Sequence, residues 1–362
     1  MMKTPPKRPA MAAARSGDCD ELAAKLFKNK DGRRRLRIVL LLAGTVVACA
    51  FFRAHDPTGF LLTGAPSSTD KDLSAALSRR TCPAYAPGDQ PSIAFLHIPK
   101  TAGTLLMETL KSVMPKEGPG RWCRRGNGPL DDLPHVFSTC SAGAPDEDHQ
   151  RLFATSRRNF LAQCSGFAAH QDWAFFEAVG VDPEQTISLV ALRHPVDRVI
   201  SDYFYSLKQN ASWLNPYKPA NSSDFSGLRR FVEDNRDKLN NINTQMLGGS
   251  KHCAWPGTPP NTPPHKVLTV AKHNLEKTCV ILLTEYLEES LMRLSRVAGW
   301  REDTLLVAAK KLEEQSKAEA GQRVNATPKP QVPLEIRQLI AQYNHLDMQL
   351  YEHAVRLFLH QR

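Results

Sequence analysis

The sequence predicts an α/β domain in which helices flank a parallel β-sheet. Three short and nearly continuous apolar segments, at 93–98, 186–192 and 279–284, each precede a stretch whose apolar residues have helical spacing. Strands that are apolar on both faces are typical of parallel sheets, because helices cover both sides of such a sheet. Ligands of these folds lie at the carboxyl ends of the strands.

Each unit pairs a short strand with an amphipathic helix. After 93–98 the apolar helix positions are Leu106, Leu110, Val113 and Met114. After 186–192 the apolar positions recur at i, i+3, i+4, i+7, i+8 and i+11 from Val196, and leucines recur at a similar period after 279–284. This spacing places them on one helix face. A last amphipathic helix is predicted from Pro333 to about His360.

Composition divides the chain into four parts. Residues 1–37 form a basic tail, 38–52 an apolar run, 53–91 a stem rich in Pro, Gly, Ser and Thr, and 92–362 the folded body. With 41% hydrophobic and 23% charged residues, the chain is neither disordered throughout nor collagen-like nor a coiled coil. The tail supplies most of the net charge of +10, so the charge does not predict a nucleic-acid partner for the body.

The apolar run 38–52 is predicted to be a transmembrane signal anchor, and no second run suggests a multispanning protein. As a helix its fifteen residues cover roughly 22 Å, so Leu36 and a snorkelling Arg37 would complete a short span. The alternatives are a cleaved signal peptide and a buried core helix. A signal peptide starts nearer the terminus and ends at a small-residue site, whereas Phe51, Phe52 and Arg53 end this run. The preceding basic cluster predicts a cytosolic tail and a lumenal body.

Two further features agree with a lumenal body. N-glycosylation triplets begin at Asn210, Asn221 and Asn325. Six of the eight cysteines follow the apolar run, which permits up to three disulfides with fifteen connectivities if all six pair. Buried free thiols are the alternative. The six are Cys82, Cys123, Cys140, Cys164, Cys253 and Cys279.

The turn 99–104 after the first strand has the composition of a phosphate-binding turn. Free backbone N–H groups at a helix start point toward an anion, and Gly103 allows close approach. Lys100 adds a positive charge, and the hydroxyls of Thr101 and Thr104 are expected to donate to phosphate oxygens. A Walker A loop has the pattern GxxxxGK[ST], in which the Lys follows the second Gly, whereas here Lys100 precedes Gly103. A metal-dependent nucleotide triphosphatase is therefore not predicted, and no metal site is expected. A turn without any ligand is the alternative.

Several segments resemble Golgi carbohydrate sulfotransferases. Residues 97–104 are similar to the 5′-phosphosulfate loop of that family, and 192–201 to its 3′-phosphate motif. Residues 167–173 resemble the segment that bears the catalytic base in heparan sulfate O-sulfotransferases, particularly the 6-O branch. Further similar segments are 240–247, 271–275, 283–285 and 346–351. The resemblance extends, with gaps, from about 93 to 360.

The resemblance implies a binding site for 3′-phosphoadenosine 5′-phosphosulfate. The residues that would hold the 5′-phosphosulfate are Lys100, Thr101, Ala102, Gly103 and Thr104. Arg193 and Ser201 would hold the 3′-phosphate, while Thr327 and Lys329 lie where the family has a loop that caps the donor. Because Asn325 begins this loop, we expect it to belong to the cap rather than to carry a glycan.

The resemblance also assigns the catalytic roles. His170 would be the base that takes the proton of the acceptor hydroxyl, and Lys100 would stabilise the leaving phosphate. Trp173 is either a core residue or a platform that stacks on a sugar face. His97 borders the phosphate turn and is expected to shape it rather than to react. Three residues depart from the family pattern, namely Pro99, Ala102 and His194.

These observations predict a Golgi type II glycan sulfotransferase that needs no metal. A heparan-like 6-O acceptor is the first expectation, and 2-O transfer or another acidic glycan is the alternative. A catalytically silent lumenal glycan-binding protein belongs to another class, but such a relative would not need Lys100, His170, Arg193 and Ser201. A phosphoryl-transfer enzyme would need a magnesium-binding Asp and Ser or Thr in a P-loop context, and the sequence shows none.

Overall fold

The structure, a computed structural model, describes residues 82–115, 121–123, 155, 163–170, 172–209, 212–221, 224–249, 262–320 and 330–360. The basic tail, the apolar run 38–52, most of the stem and the proposed cap residues Thr327 and Lys329 lie outside these residues. Within the described part of the chain, no helix has the length and apolar character needed to cross a membrane.

A parallel five-stranded sheet forms the centre of the fold, which confirms the predicted class. The strands are β1 Ser92–Leu96, β2 Arg121–Cys123, β3 Cys164–Ala169, β4 Thr186–Leu192 and β5 Val280–Leu283. Their order is β2–β3–β1–β4–β5, and every neighbouring pair is parallel. The first strand therefore lies between β3 and β4, so three strands end side by side at the middle of the sheet.

Helices cover both faces of the sheet. They are α1 Gly103–Val113, α2 Trp173–Val179, α3 Pro195–Lys208, α4 Ser226–Asp234, α5 Arg236–Leu239, α6 Ile242–Leu247, α7 Pro264–Lys277, α8 Leu287–Val297, α9 Thr304–Ala320, α10 Leu334–Tyr343 and α11 His345–His360. One face packs against α1, α8 and α9, and the other packs against α2, α6, α7 and α11. A separate apolar cluster joins α3, α4 and α10.

The strands β2 and β3 were not predicted from the sequence. The segment 164–169 consists mainly of small residues and lacks the β-branched residues that favour strands. The contacts of Gly166 explain why a residue of this strand must be small, because a Cβ added there would lie 2.5 Å from the Trp122 ring and 2.7 Å from Met114. A small residue is therefore needed for the Trp122 ring to pack across β3.

The predicted C-terminal helix is interrupted at Asn344, so the expectation of one helix from 333 to 360 was wrong. Asn344 is buried, and its side-chain amide donates to the carbonyl of Ile340 at 2.9 Å. Its Oδ1 accepts the backbone N–H of Asn241 at 3.0 Å. The break therefore places the Asn344 side chain where it accepts a hydrogen bond from the residue before α6. Helical periodicity alone does not reveal such a contact.

Two disulfides form among the six cysteines that follow the apolar run, which confirms disulfides for four of them and supplies the connectivity that the sequence left open. Cys82 is bonded to Cys279, and Cys123 to Cys164. The first ties the segment before β1 to the start of β5, while the second joins β2 to β3. The remaining two cysteines of the body, Cys140 and Cys253, lie outside the described residues.

A buried polar cluster, here called the helix junction, holds α3, α6 and α11 together. Arg198 of α3 is fully buried and donates to the carbonyl of Leu239 at 2.9 Å. The carboxylate of Asp347 accepts the backbone N–H groups of Asn243 at 3.1 Å and Thr244 at 2.7 Å. Two segments that carried the family resemblance, 240–247 and 346–351, thus meet in a structural contact that fixes α3.

Candidate active site

Three of the predicted site residues come together where β3, β1 and β4 end. His170 directly follows β3, Lys100 lies in the turn after β1, and Arg193 directly follows β4. Because these strands are adjacent and parallel, their carboxyl ends share one edge of the sheet. We call this group of three the active edge; it is where ligands of such folds bind.

The turn before α1 presents backbone N–H groups at the active edge. Lys100 and Ala102 have positive φ angles of 69° and 63°, a left-handed conformation that is uncommon for residues other than glycine. Ala102 caps α1, and its carbonyl accepts the N–H of Leu106 at 3.1 Å. The N–H groups of the first helical turn have no partner within the helix, so they can bind an anion.

The two threonines of the turn have different environments. Thr101 is buried, and its hydroxyl donates to the carbonyl of Ile98 at 2.8 Å. Thr104 is exposed in the first turn of α1. The structure thus gives the Thr101 hydroxyl a contact within the turn instead of the phosphate contact expected from the sequence, and Thr101 can contribute its backbone.

Lys100 extends from the turn toward α3. Its Nζ lies 3.2 Å from the centroid of the Tyr205 ring, a cation–π contact. Burial lowers the pKa of Lys100 to about 8; Asp202 opposes this shift and Arg193 adds to it. The amine is therefore a cation at neutral pH that has already lost part of its hydration.

Arg193 and Ser201 supply the second polar group of the predicted site. Arg193 lies just before α3, and its Nη1 donates to the carbonyl of Lys100 over a long 3.5 Å. Ser201 lies two turns farther along α3, and both side chains are half-buried. This arrangement places a guanidinium and a hydroxyl on the α3 side of the phosphate turn.

Glu285 anchors the start of α3, a role that sequence reasoning did not assign. One carboxylate oxygen accepts the backbone N–H of His194 at 2.9 Å, and the other accepts the Tyr351 hydroxyl at 2.8 Å. The His194 ring also contacts the Tyr351 ring edge-on, at 5.5 Å between centroids. Both residues lie in segments that carried the resemblance, but only the fold shows that they meet beside Arg193.

His170 has the environment of a neutral imidazole. Its ring is exposed on one side, and on the other its centroid lies 3.9 Å from that of His97. Burial lowers the pKa of His170, and the His97 backbone opposes part of that shift.

Trp173 is part of the core. The residue is 8% exposed, its indole N–H donates to Glu177 at 3.2 Å, and its ring meets Phe176 edge-on at 6.0 Å. Stacking on a sugar needs an open ring face. This position favours the core alternative over the sugar platform.

Comparison with known proteins adds a family to this geometry. A model of the sulfotransferase family matches residues 85–354. The match covers well over half of the chain and includes the whole active edge. A search of curated proteins returned no match. Among the described residues, no group of three His, Cys, Asp or Glu side chains is placed to hold a metal ion.

Proposed function

Because this chain belongs to the sulfotransferase family, we propose that it transfers a sulfuryl group from 3′-phosphoadenosine 5′-phosphosulfate to a hydroxyl of an acidic glycan. Sulfuryl transfer is the chemistry of the family. The observation that carries the proposal is the active edge, where an anion-binding turn, two cations and a neutral imidazole meet.

The donor set at the active edge suits a ligand with two separate anionic groups. The N–H groups at the start of α1 and the amine of Lys100 would hold the 5′-phosphosulfate. Arg193 and Ser201 would hold the 3′-phosphate from α3, and Thr327 with Lys329 would cap the donor. When bound, the donor supplies the sulfuryl group and departs as the 3′,5′-bisphosphate.

His170 would act as the general base. A sugar hydroxyl is a poor nucleophile at neutral pH, so its proton must be taken as the new S–O bond forms. The lowered pKa of His170 favours its neutral ring, which has one unprotonated nitrogen that can accept this proton. The S–O bond to the phosphate breaks in line, and Lys100 with the α1 N-terminus would stabilise the negative charge that the phosphate gains.

The acceptor and the compartment follow from the resemblance and from the cysteines. We propose that the acceptor is a heparan-like polysaccharide, which is sulfated at a 6-O position. We also propose that the protein is a type II membrane enzyme of the Golgi. Transfer to a 2-O position or to another acidic glycan is the alternative within this chemistry. The two disulfides support an oxidising compartment, since disulfides are rare in the cytosol.

Incubation of the full-length protein with sulfate-labelled donor and a panel of desulfated glycans tests the proposal. We expect label in heparan-like chains, with disaccharide analysis placing it at the 6-O position. The matched control is His170→Ala, which should bind the donor and transfer label at least about 100-fold more slowly. Donor binding by wild type without transfer to any glycan would favour a silent glycan-binding protein.

A further inference from the structure

His97 lies between His170, the proposed base, and the turn 99–104, which would bind the donor. It follows β1 directly, and it is only 5% exposed. Its backbone N–H donates to the carbonyl of Ala169 at 3.0 Å, which continues the β1–β3 pairing up to the residue before His170. The backbones that carry the two histidines are therefore joined by a hydrogen bond.

The His97 ring fills a confined space. On one side it stacks on Phe95 at 5.4 Å between centroids, with 19° between the ring planes. On another it meets Gly103 so closely that an added Cβ would lie 1.8 Å from Nε2. The absence of a side chain at Gly103 therefore serves the His97 ring as well as the approach of an anion, and a larger residue would displace this ring.

The exposed His170 ring rests on this fixed surface. The ring centroids lie 3.9 Å apart, with 30° between the ring planes. Hence His97 contacts the face of the base through its ring, and its backbone is paired with the residue before the base.

Protonation of His97 is disfavoured by everything that faces it. Burial, first, and then the positive charges that His170 and Lys100 can carry together lower the pKa of His97 to about 3. Phe95, on its other side, carries no charge. A ring that stays neutral does not repel a proton arriving on His170, and it keeps water away from one face of the base.

We propose that His97 is a positioning residue, whose buried ring and backbone pairing fix the orientation of His170 beside the turn 99–104. The inference rests on the proposed role of His170 as the base. A positioning role also gives His97 a function beside the turn 99–104 that does not require its ring to react.

The test measures the protonation of His170 without relying on activity. In the full-length protein, the rate of His170 modification by diethylpyrocarbonate, read by peptide mass spectrometry across pH, reports the neutral ring. His97→Ala opens the covered face to water, so the pH midpoint should rise toward the ordinary histidine value. His97→Phe keeps a buried neutral ring and should leave the midpoint near that of wild type.

The variant whose pH midpoint shifts more should also lose more of its kcat. Loss of orientation in His97→Ala should lower kcat by about 10- to 100-fold, while His97→Phe retains most of it. Leu228→Ala, a buried truncation in the separate α3–α4 cluster, controls for general destabilisation and should keep the wild-type midpoint. If His97→Ala fails to fold, Gly103→Ala displaces the same ring and should raise the midpoint likewise.

Failure of the positioning role and failure of the proposed function would give different results. A wild-type midpoint in both His97→Ala and Gly103→Ala, with kcat unchanged in His97→Ala, would overturn the positioning role while leaving sulfuryl transfer intact. A midpoint that rises as expected in a protein that sulfates no glycan would support the positioning and refute the proposed function.

Discussion

Two arginines near the start of α3 show how differently similar residues are used. Arg198 belongs to the helix junction, where it is fully buried and donates to Leu239 beside the carboxylate of Asp347. Arg193 lies five residues earlier at the active edge, where it is half-buried and its one hydrogen bond to the turn is long. The Asp347 carboxylate of the junction binds backbone N–H groups of the protein itself, while Arg193 at the active edge remains accessible to a ligand.

The comparison separates structural from chemical roles within one set of motifs. Segments that meet at the helix junction and segments that meet at the active edge both resemble the same family. The backbone adopts left-handed angles without glycine at Lys100 and Ala102 of the edge, and also at Asn241 beside the junction, where the Asn241 side chain and N–H are hydrogen-bonded within the protein. Unusual backbone geometry that persists beside exposed polar groups is typical of functional sites. The following predictions test whether the two regions differ in this way.

The largest effect is expected at the active edge. His170→Ala should lower kcat by about 10² to 10⁴, the usual range for loss of a general base, while donor affinity changes little. Rate and donor binding are measured on the same samples, with the exposed His265→Ala as control. Turnover of His170→Ala within a few-fold of wild type, with chemistry rate-limiting, would remove His170 from the role of base.

At the helix junction we expect a loss of stability instead. Asp347→Ala leaves the Arg198 guanidinium and two backbone N–H groups without their carboxylate, which should cost about 3–5 kcal/mol. Urea unfolding measures this loss. Lys310→Ala, which breaks an exposed ion pair with Glu288, should change stability by about 0.5 kcal/mol or less. Equal losses in the two variants would contradict the structural role of the junction.

The buried His97 predicts a pH dependence of stability. Its pKa is about 3 in the folded protein and near 6.5 when unfolded, so the unfolded state binds a proton first as pH falls. The contribution of the neutral His97 ring to the free energy of unfolding is therefore fully present above pH 6.5. It is lost as pH falls toward 3, and the loss is on the order of 4 kcal/mol.

His97→Phe removes this titration. Its free energy of unfolding should fall less than that of wild type between pH 6.5 and 3, as measured by denaturant unfolding at each pH. Parallel curves for the two proteins would mean that His97 is protonated as readily in the folded state as in the unfolded chain.

The smallest effect concerns the backbone of the turn. A left-handed alanine costs roughly 1–2 kcal/mol, and the greater freedom of glycine in the unfolded chain offsets about half of this. Ala102→Gly should therefore stabilise the fold by about 1 kcal/mol or less in thermal unfolding. Ala309→Gly, within helix α9, should destabilise by a similar amount. A loss of stability in both variants would argue against strain at Ala102.

Lys100 and Arg193 were predictable at the active edge because each lies in the turn after a strand that the sequence predicted, and parallel strands bring such positions to one edge. His170 follows β3, so the family resemblance, and not a predicted strand, pointed to it. The apolar segments of β1, β4 and β5 carried enough signal to predict those strands, whereas the small residues of β3 did not.

The contacts between elements were not predictable from local patterns. Asn344 ends a helix because it satisfies Asn241 from a distant segment, and Gly103 is small because the His97 ring lies against it. The Thr101 hydroxyl points at Ile98, and Trp173 points into the core. In each case the composition was compatible with either role, and the packing of distant residues decided it.

The central claim is that the active edge binds a nucleotide through two separate phosphate sites. Calorimetric titration of the full-length protein with 3′-phosphoadenosine 5′-phosphate and with AMP, which lacks the 3′-phosphate, tests it most directly. Wild type should bind the bisphosphate more tightly, and Arg193→Ala should lose most of that preference because its guanidinium would contact the 3′-phosphate. Equal affinity for the two nucleotides in wild type, or a preference that survives in Arg193→Ala, would contradict the account.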